Sequence, residues 1–240
     1  MASPFKDINE LTRDVETYLR TNRSAIYNNS KRISDFFEMA CYNNVVRFYE
    51  NNGYSVMIKN VLKNKFKYKC TIAGNPENYS FFEAKRVIGK LTFIYEIRHN
   101  INIQSYHTDE TYTTPDISIL KPNEIQIDND FYLSKQKYYY ARNRDLISFC
   151  EVKNFTPFPE LLFNFIGVVN ELKPNLLRET KFSGSKHIAT SLMISGKSNN
   201  HTEKIINNLQ DRYHINLICD LFNIGGIKFG KHSHKQLKTV

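Results

Sequence analysis

Two short hydrophobic runs, each carrying acid, constrain this chain more than anything else in it. The first is Pro115-Asp116-Ile117-Ser118-Ile119-Leu120, and the second is Ile147-Ser148-Phe149-Cys150-Glu151-Val152-Lys153. Both are short, apolar and rich in β-branched or aromatic side chains, the composition of a buried strand. Charge inside a buried strand is costly unless it is paired or bound to metal. These runs nevertheless hold Asp116, Glu151 and Lys153. Glu151 and Lys153 are two apart, so a strand points them to the same face. If the two strands are neighbours, one acid from each and one Lys converge on a single point.

Two carboxylates hold a hard divalent cation through oxygen. A Lys beside them can orient a water and stabilise the charge of a phosphorane, which together is equipment for metal-assisted phosphodiester hydrolysis. Pro115-Asp116 followed by Glu151-Val152-Lys153 resembles the signature of the PD-(D/E)xK nuclease superfamily, which includes restriction enzymes, Holliday-junction resolvases and repair nucleases. The resemblance covers roughly residues 33–222. The C-terminal part is most similar to the Mrr-type restriction branch and the archaeal resolvases. There a strand ending in small residues, here Ser191 to Gly196, leads to a helix and a short buried strand, Ile215 to Asp220. The resemblance implies an α/β fold with a restriction-endonuclease-like core, a central mixed β-sheet flanked by helices. It implies Asp116 as bridging metal ligand, Glu151 as second ligand and Lys153 as the group that positions the attacking water. The backbone carbonyl of Val152 becomes a further ligand, and Glu38, on the first core helix, the additional acid that many members carry. Two carboxylates without His or Cys suit Mg²⁺, with Mn²⁺ able to substitute.

Hydrophobic spacing supplies the surrounding elements. Ile8, Leu11, Val15 and Leu19 predict an amphipathic helix over 5–20, followed by a polar, Asn-rich linker to Arg32. A second helix is predicted over 33–52 and stops at Gly53. Strands are predicted at 54–59, 66–72, 81–88, 92–106, 115–120 and 147–153, with 121–145 inserted between the two acid-bearing strands. A helix over 159–173, begun by Pro159, then leads to a strand at 187–194, a helix at 201–213 and a strand at 215–221. The organisation read from this order is an N-terminal helical extension and linker (1–32), a nuclease domain (33–225) and a basic tail (226–240).

The charge balance points to a polyanionic partner. The chain of 240 residues has 33 Lys and Arg against 24 Asp and Glu, a net +9. Three basic stretches stand out. Lys63, Lys65, Lys67 and Lys69 run without an intervening acid, and alternation would line one strand face with the last three. The insertion interleaves Lys135, Lys137, Arg142 and Arg144 with Tyr138, Tyr139 and Tyr140, and cations among aromatics can hold phosphates and stack on bases. Because it joins the acid-bearing strands, the insertion is expected beside the cleft. The tail adds Lys228, Lys231, Lys235 and Lys238. The four Cys are scattered without a CxxC pair, which suits core thiols in a reducing cytoplasm. No apolar run is long enough to span a bilayer.

Two competing motifs are present. Ser80-Phe81-Phe82-Glu83-Ala84-Lys85 also ends a hydrophobic strand in Glu-x-Lys, without an Asp-bearing strand just upstream. Gly196-Lys197-Ser198 imitates the end of a phosphate-binding loop, but Ser191 stands where that loop needs Gly. The expectation is a Mg²⁺-dependent endonuclease of restriction or defence type acting on double-stranded DNA. The alternatives are a non-catalytic nucleic-acid-binding protein on the same fold and an RNase of the same superfamily. Cutting both strands asks for a symmetric dimer.

Overall fold

A computed structural model describes residues 25–26, 33–63, 65–129, 137–178 and 187–221. The helix expected over 5–20, the basic tail and Lys135 lie outside the described residues. The chain is α/β: among the described residues there are a large mixed sheet and three α-helices. In order come β1 (Ala25–Ile26), α1 (Ile33–Asn51), β2 (Ser55–Lys59), β3 (Lys65–Phe66), β4 (Phe81–Ile88) and β5 (Leu91–His99). Then follow β6 (Asn102–Gln104), β7 (Tyr112–Thr113), β8 (Ile117–Leu120), β9 (Gln126–Asp128), β10 (Tyr138–Ala141) and β11 (Leu146–Lys153). The last elements are α2 (Pro159–Leu172), β12 (Ser191–Ile194), α3 (Asn200–Arg212) and β13 (Asn216–Ile218). None of the described helices is long and apolar enough to cross a membrane.

Seven strands form the main sheet in the order β13-β12-β11-β8-β5-β4-β2. From β2 through β8 to β11 the neighbours are antiparallel, and β11, β12 and β13 are parallel. Parallel neighbours need a crossover, and α2 and α3 occupy the two crossovers. Two cores lie on opposite faces. One packs α1 against Phe82, Ala84, Ile97, Ile119, Cys150 and Val152. The other packs α2 and α3 against Leu120, Phe149, Leu192, Ile194 and Leu217. Cys150 and Val152 thus face α1, whereas Phe149 faces α2, as alternation along β11 requires.

The helices follow their sequences. α1 is buried over most of its surface, and Phe37, Tyr42, Val45, Val46, Phe48 and Tyr49 have no exposed surface. It ends at Gly53, whose φ of +80° is one that other residues rarely adopt. α2 buries Leu162, Phe165, Val169 and Leu172, one stripe at alternating spacings of three and four. α3 opens with a reciprocal cap between Asn199 and Thr202.

Three departures from the sequence reading matter. The strand expected over 66–72 ends at Phe66, whose short β3 pairs in parallel with β1, inside the expected linker. The single strand expected over 92–106 breaks at Asn100, where φ is +50°. Beyond the break, β6 leaves the main sheet for a second one, of order β7-β6-β10-β9. The insertion 121–145 supplies β9 and β10 of that sheet. Tyr138 and Tyr140 pack with Tyr112, whose ring centroid is 5.0 Å from that of Tyr138 and 4.7 Å from that of Tyr140.

Candidate active site

β8 and β11 run antiparallel, with Ile117 opposite Cys150 and Leu120 opposite Leu146. That register carries Asp116, at the start of β8, to the end of β11 where Glu151 and Lys153 lie. Val152 N–H donates to Asp116 Oδ2 at 2.6 Å, so the acid closes the strand pair beyond its last ladder residues. Lys153 Nζ stands 3.0 Å from Asp116 Oδ2 and 2.8 Å from Glu151 Oε2. The side chains of Asp116 and Glu151 are only 13% and 11% exposed, and that of Lys153 is 32% exposed. One ammonium therefore serves two nearly buried carboxylates and remains reachable from solvent.

The electrostatics are strained toward negative charge. Burial, then the charge of Asp116, pushes Glu151 up to about 7 against the pull of Lys153. Asp116 is also raised by burial; Lys153 and the Val152 N–H oppose this, and the Glu38 charge adds to it. For Lys153, burial works downward, but the two carboxylates outweigh it and its pKa lies above the ordinary value. Glu38 thus acts on the same site from α1, and its Oε2 is 3.5 Å from Nε2 of the buried His99.

The donor set is two carboxylates, with the Val152 carbonyl on the same strand. Among the described residues no group of three or more His, Cys, Asp or Glu side chains is spaced to hold a metal ion. Mg²⁺ is commonly held by one or two carboxylates, with water and phosphate oxygens completing its shell. An excess of buried acid over a single ammonium fits such a hard cation.

Other expected site residues are placed differently. The insertion leaves β8 at Leu120 and returns to β11 at Leu146, the end of the pair opposite Asp116. Those two roots lie at the far end of the pair, but β10 runs beside β6, where Tyr139 O accepts from Asn102 Nδ2 and Asn102 Oδ1 accepts from Thr114 Oγ1, two residues before Asp116. Lys137 and Arg144 are exposed, while Arg142 donates to Gln126 Oε1 at 2.8 Å within the small sheet. Lys69 is 2% exposed and donates to three carbonyls: Thr71 at 2.5 Å, Ile72 at 3.0 Å and Asn100 at 2.8 Å. It is a structural lysine and not a phosphate contact. Lys67 lies over the Tyr79 ring, and Lys63 and Lys65 are exposed. In the competing motif, Glu83 pairs with Lys59 at 3.1 Å, Lys85 is exposed, and the residue opposite Glu83 is Glu96.

Sequence reasoning missed the supports of the site. Asn100 N–H donates to Asp116 O at 3.0 Å, its Nδ2 to Lys69 O at 2.9 Å, and its own carbonyl takes the Lys69 ammonium. Behind Lys153, Ser195 N–H donates to the Lys153 carbonyl at 3.1 Å and Ser195 Oγ to Asn154 Oδ1 at 2.8 Å. Gly196 approaches the same turn so closely that a Cβ there would lie 2.5 Å from Phe155 O. The positive φ at Asn100 had one available signal, the Asn residue type, which tolerates that conformation. Comparison with protein-family models, with curated proteins and with solved structures finds no match for this chain.

Proposed function

We propose that this protein is a Mg²⁺-dependent nuclease on a restriction-endonuclease-like core, hydrolysing phosphodiester bonds of DNA. One observation carries the reading: Asp116 and Glu151, from adjacent antiparallel strands, share the Lys153 ammonium at 3.0 and 2.8 Å in a nearly buried cluster. A binding surface for phosphate has no use for two acids at its centre, whereas phosphodiester hydrolysis does. Asp116, Glu151 and the Val152 carbonyl would hold the metal. When bound, that ion supplies charge neutralisation at the scissile phosphate and acidifies a water.

The chain's own groups account for the rest. The Val152 N–H fixes Asp116 Oδ2, so one carboxylate oxygen is oriented before any ligand arrives. Lys153 Nζ, partly exposed, can donate to the attacking water or to a non-bridging phosphate oxygen. Glu38 adds negative charge on the α1 side of the cluster. The order antiparallel meander, catalytic strand, helix, parallel strand, helix, parallel strand supports the same fold reading. The net +9 of the chain favours a polyanionic substrate.

The test is incubation of pure protein with plasmid, linear DNA and RNA, with and without Mg²⁺ or Mn²⁺. DNA cleavage should require the metal, stop with EDTA and return with excess Mg²⁺. Glu151→Ala and Lys153→Ala should abolish it, and Glu83→Ala and Lys85→Ala should not. Strong cleavage in EDTA, or an active Glu151→Ala protein, would sink the mechanism. Cleavage of RNA alone would overturn the DNA assignment.

A further inference from the structure

A cavity of about 320 Å³ lies at the end of β11 remote from Asp116. Its floor is apolar: Ile147, Leu176, Ile188 and Ala189. Ile147 sits where the register of β11 against β8 shifts, between Leu146 and Ser148. The catalytic strand thus begins with an irregularity at this cavity and ends at Glu151 and Lys153, roughly 13 Å along the strand. The two places are separate sites on one strand.

The Lys and Arg of the lining give it positive charge, beside the neutral Asn143 and Asn175 and the ring of His214. Lys173 and Arg144 line the cavity, and none of the described lining residues is acidic. Lys173 Nζ donates to the Leu146 carbonyl, and burial followed by the neighbouring charge of Lys121 holds it down at about 8. Neither Lys173 nor Arg144 forms an ion pair among the described residues. Ser148 Oγ and Thr190 Oγ1 are buried and 3.4 Å apart. At the rim stands Tyr106, 52% exposed. Two cations and an apolar floor form a recognition set for a small anion with a flat body. A phosphate head uses more of these donors than a carboxylate, because it offers three acceptor oxygens. The volume is that of a small-molecule pocket and not of a polymer groove.

We propose that this cavity binds a small organic phosphomonoester of nucleoside-monophosphate size. Its phosphate meets Lys173 and Arg144, and the flat face of its base lies between Tyr106 and the Ile147–Ile188 floor. The assignment is independent of the nuclease reading and stands if no cleavage is found.

Calorimetric titration of the full chain in EDTA tests it, with adenosine monophosphate, uridine monophosphate, adenosine and inorganic phosphate as probes. Both monophosphates should bind, and adenosine and inorganic phosphate should bind at least about tenfold more weakly. Arg144→Ala and Lys173→Met should each weaken monophosphate binding by about tenfold, the loss of one charge-assisted contact. Arg144 is exposed, so its variant remains informative if Lys173→Met fails to fold. Glu151→Ala and Lys153→Ala should leave the affinity unchanged. Absence of monophosphate binding, or equal binding of inorganic phosphate, overturns the proposal. So does binding that survives both cavity variants and disappears with Lys153→Ala, which would place the nucleotide at the acid cluster.

Discussion

Asp116 and Val152 are joined by a hydrogen bond of 2.6 Å from a backbone N–H to a carboxylate oxygen, across two strands whose chain positions are 36 apart. The acid therefore has a structural duty beside the chemical one proposed for it. The two duties separate on substitution. Asp116→Asn retains an oxygen acceptor for the Val152 N–H and removes a charge that opposes Glu151 and Glu38. Asp116→Ala leaves the N–H without its acceptor, a loss of about 1–3 kcal/mol for a buried donor. In urea melts at pH 7.5 the Asn variant should be the more stable of the two by that margin, and both should be inactive. Equal stability of the two would mean that the bond does not hold the strands.

Gly196 has a stricter requirement. A Cβ at this position would stand 2.5 Å from Phe155 O and 2.7 Å from Thr156 Cα, both backbone atoms that no rotamer change can move. Gly196→Ala should cost about 1–3 kcal/mol, the usual penalty of overpacking. The turn it displaces follows Lys153 directly, so cleavage should fall by more than the unfolded fraction explains. An alanine variant with wild-type stability and activity would show that the turn yields freely.

Lys69 and Lys65 make a controlled pair. Lys69→Met removes the donor to three carbonyls in a buried setting, whereas Lys65→Ala removes an exposed charge. The first should destabilise by about 2–3 kcal/mol, since hydrogen bonds to charged groups are worth more than neutral ones. The second should stay within about 0.5 kcal/mol of wild type. Denaturant midpoints for the two variants decide it, and a tolerated Lys69→Met would return that residue to the list of surface cations.

His187 gives the fold a pH dependence. Its ring lies edge-on to Tyr95 with centroids 4.4 Å apart, and burial lowers its pKa to about 4. A folded value below the unfolded one means that the unfolded chain binds the proton first as pH falls. Stability contributed by the neutral ring is therefore complete above about 6.5 and is lost as pH drops toward 4, at no more than ~1.4 kcal/mol per pH unit. Urea melts of wild type and His187→Gln at pH 6.5, 5.5 and 4.5 should diverge in slope, with wild type the steeper. Parallel slopes would place the imidazole in water.

Much of this arrangement was legible in local pattern. β4 spans 81–88 and α2 starts at Pro159, both at their expected places, because β4 opens on an aromatic, apolar run at Phe81 and Phe82 and α2 carries a positional Pro. The meeting of Asp116, Glu151 and Lys153 follows from alternation along β11 and its antiparallel pairing with β8. What stayed hidden depends on distant partners. β6, β7, β9 and β10 are two to four residues long, too short for any period to register, and they exist because they pair with one another. Alternation assigned Lys69 to an exposed face, but the strand ends at Phe66 and the loop beyond turns that ammonium inward. Connectivity alone does not say from which end of the β8–β11 pair the insertion leaves; register puts its roots at Leu120 and Leu146, and the pairing of β10 with β6 sets Tyr139 beside Asn102, the partner of Thr114.

The break at Asn100 has a consequence for how the acid cluster comes into being. Asn100 ties itself to Lys69, 31 residues earlier, and to the backbone of Asp116, which in turn takes the Val152 N–H. Four remote stretches of chain must have met before Asp116 has a fixed address. Closing loops over such distances costs chain entropy, so the repulsion of Asp116 with Glu151 and with Glu38 is a cost the hydrophobic faces and these hydrogen bonds have to outweigh. A peptide spanning 115–153 would own both acids and the lysine and would still have no place to hold them.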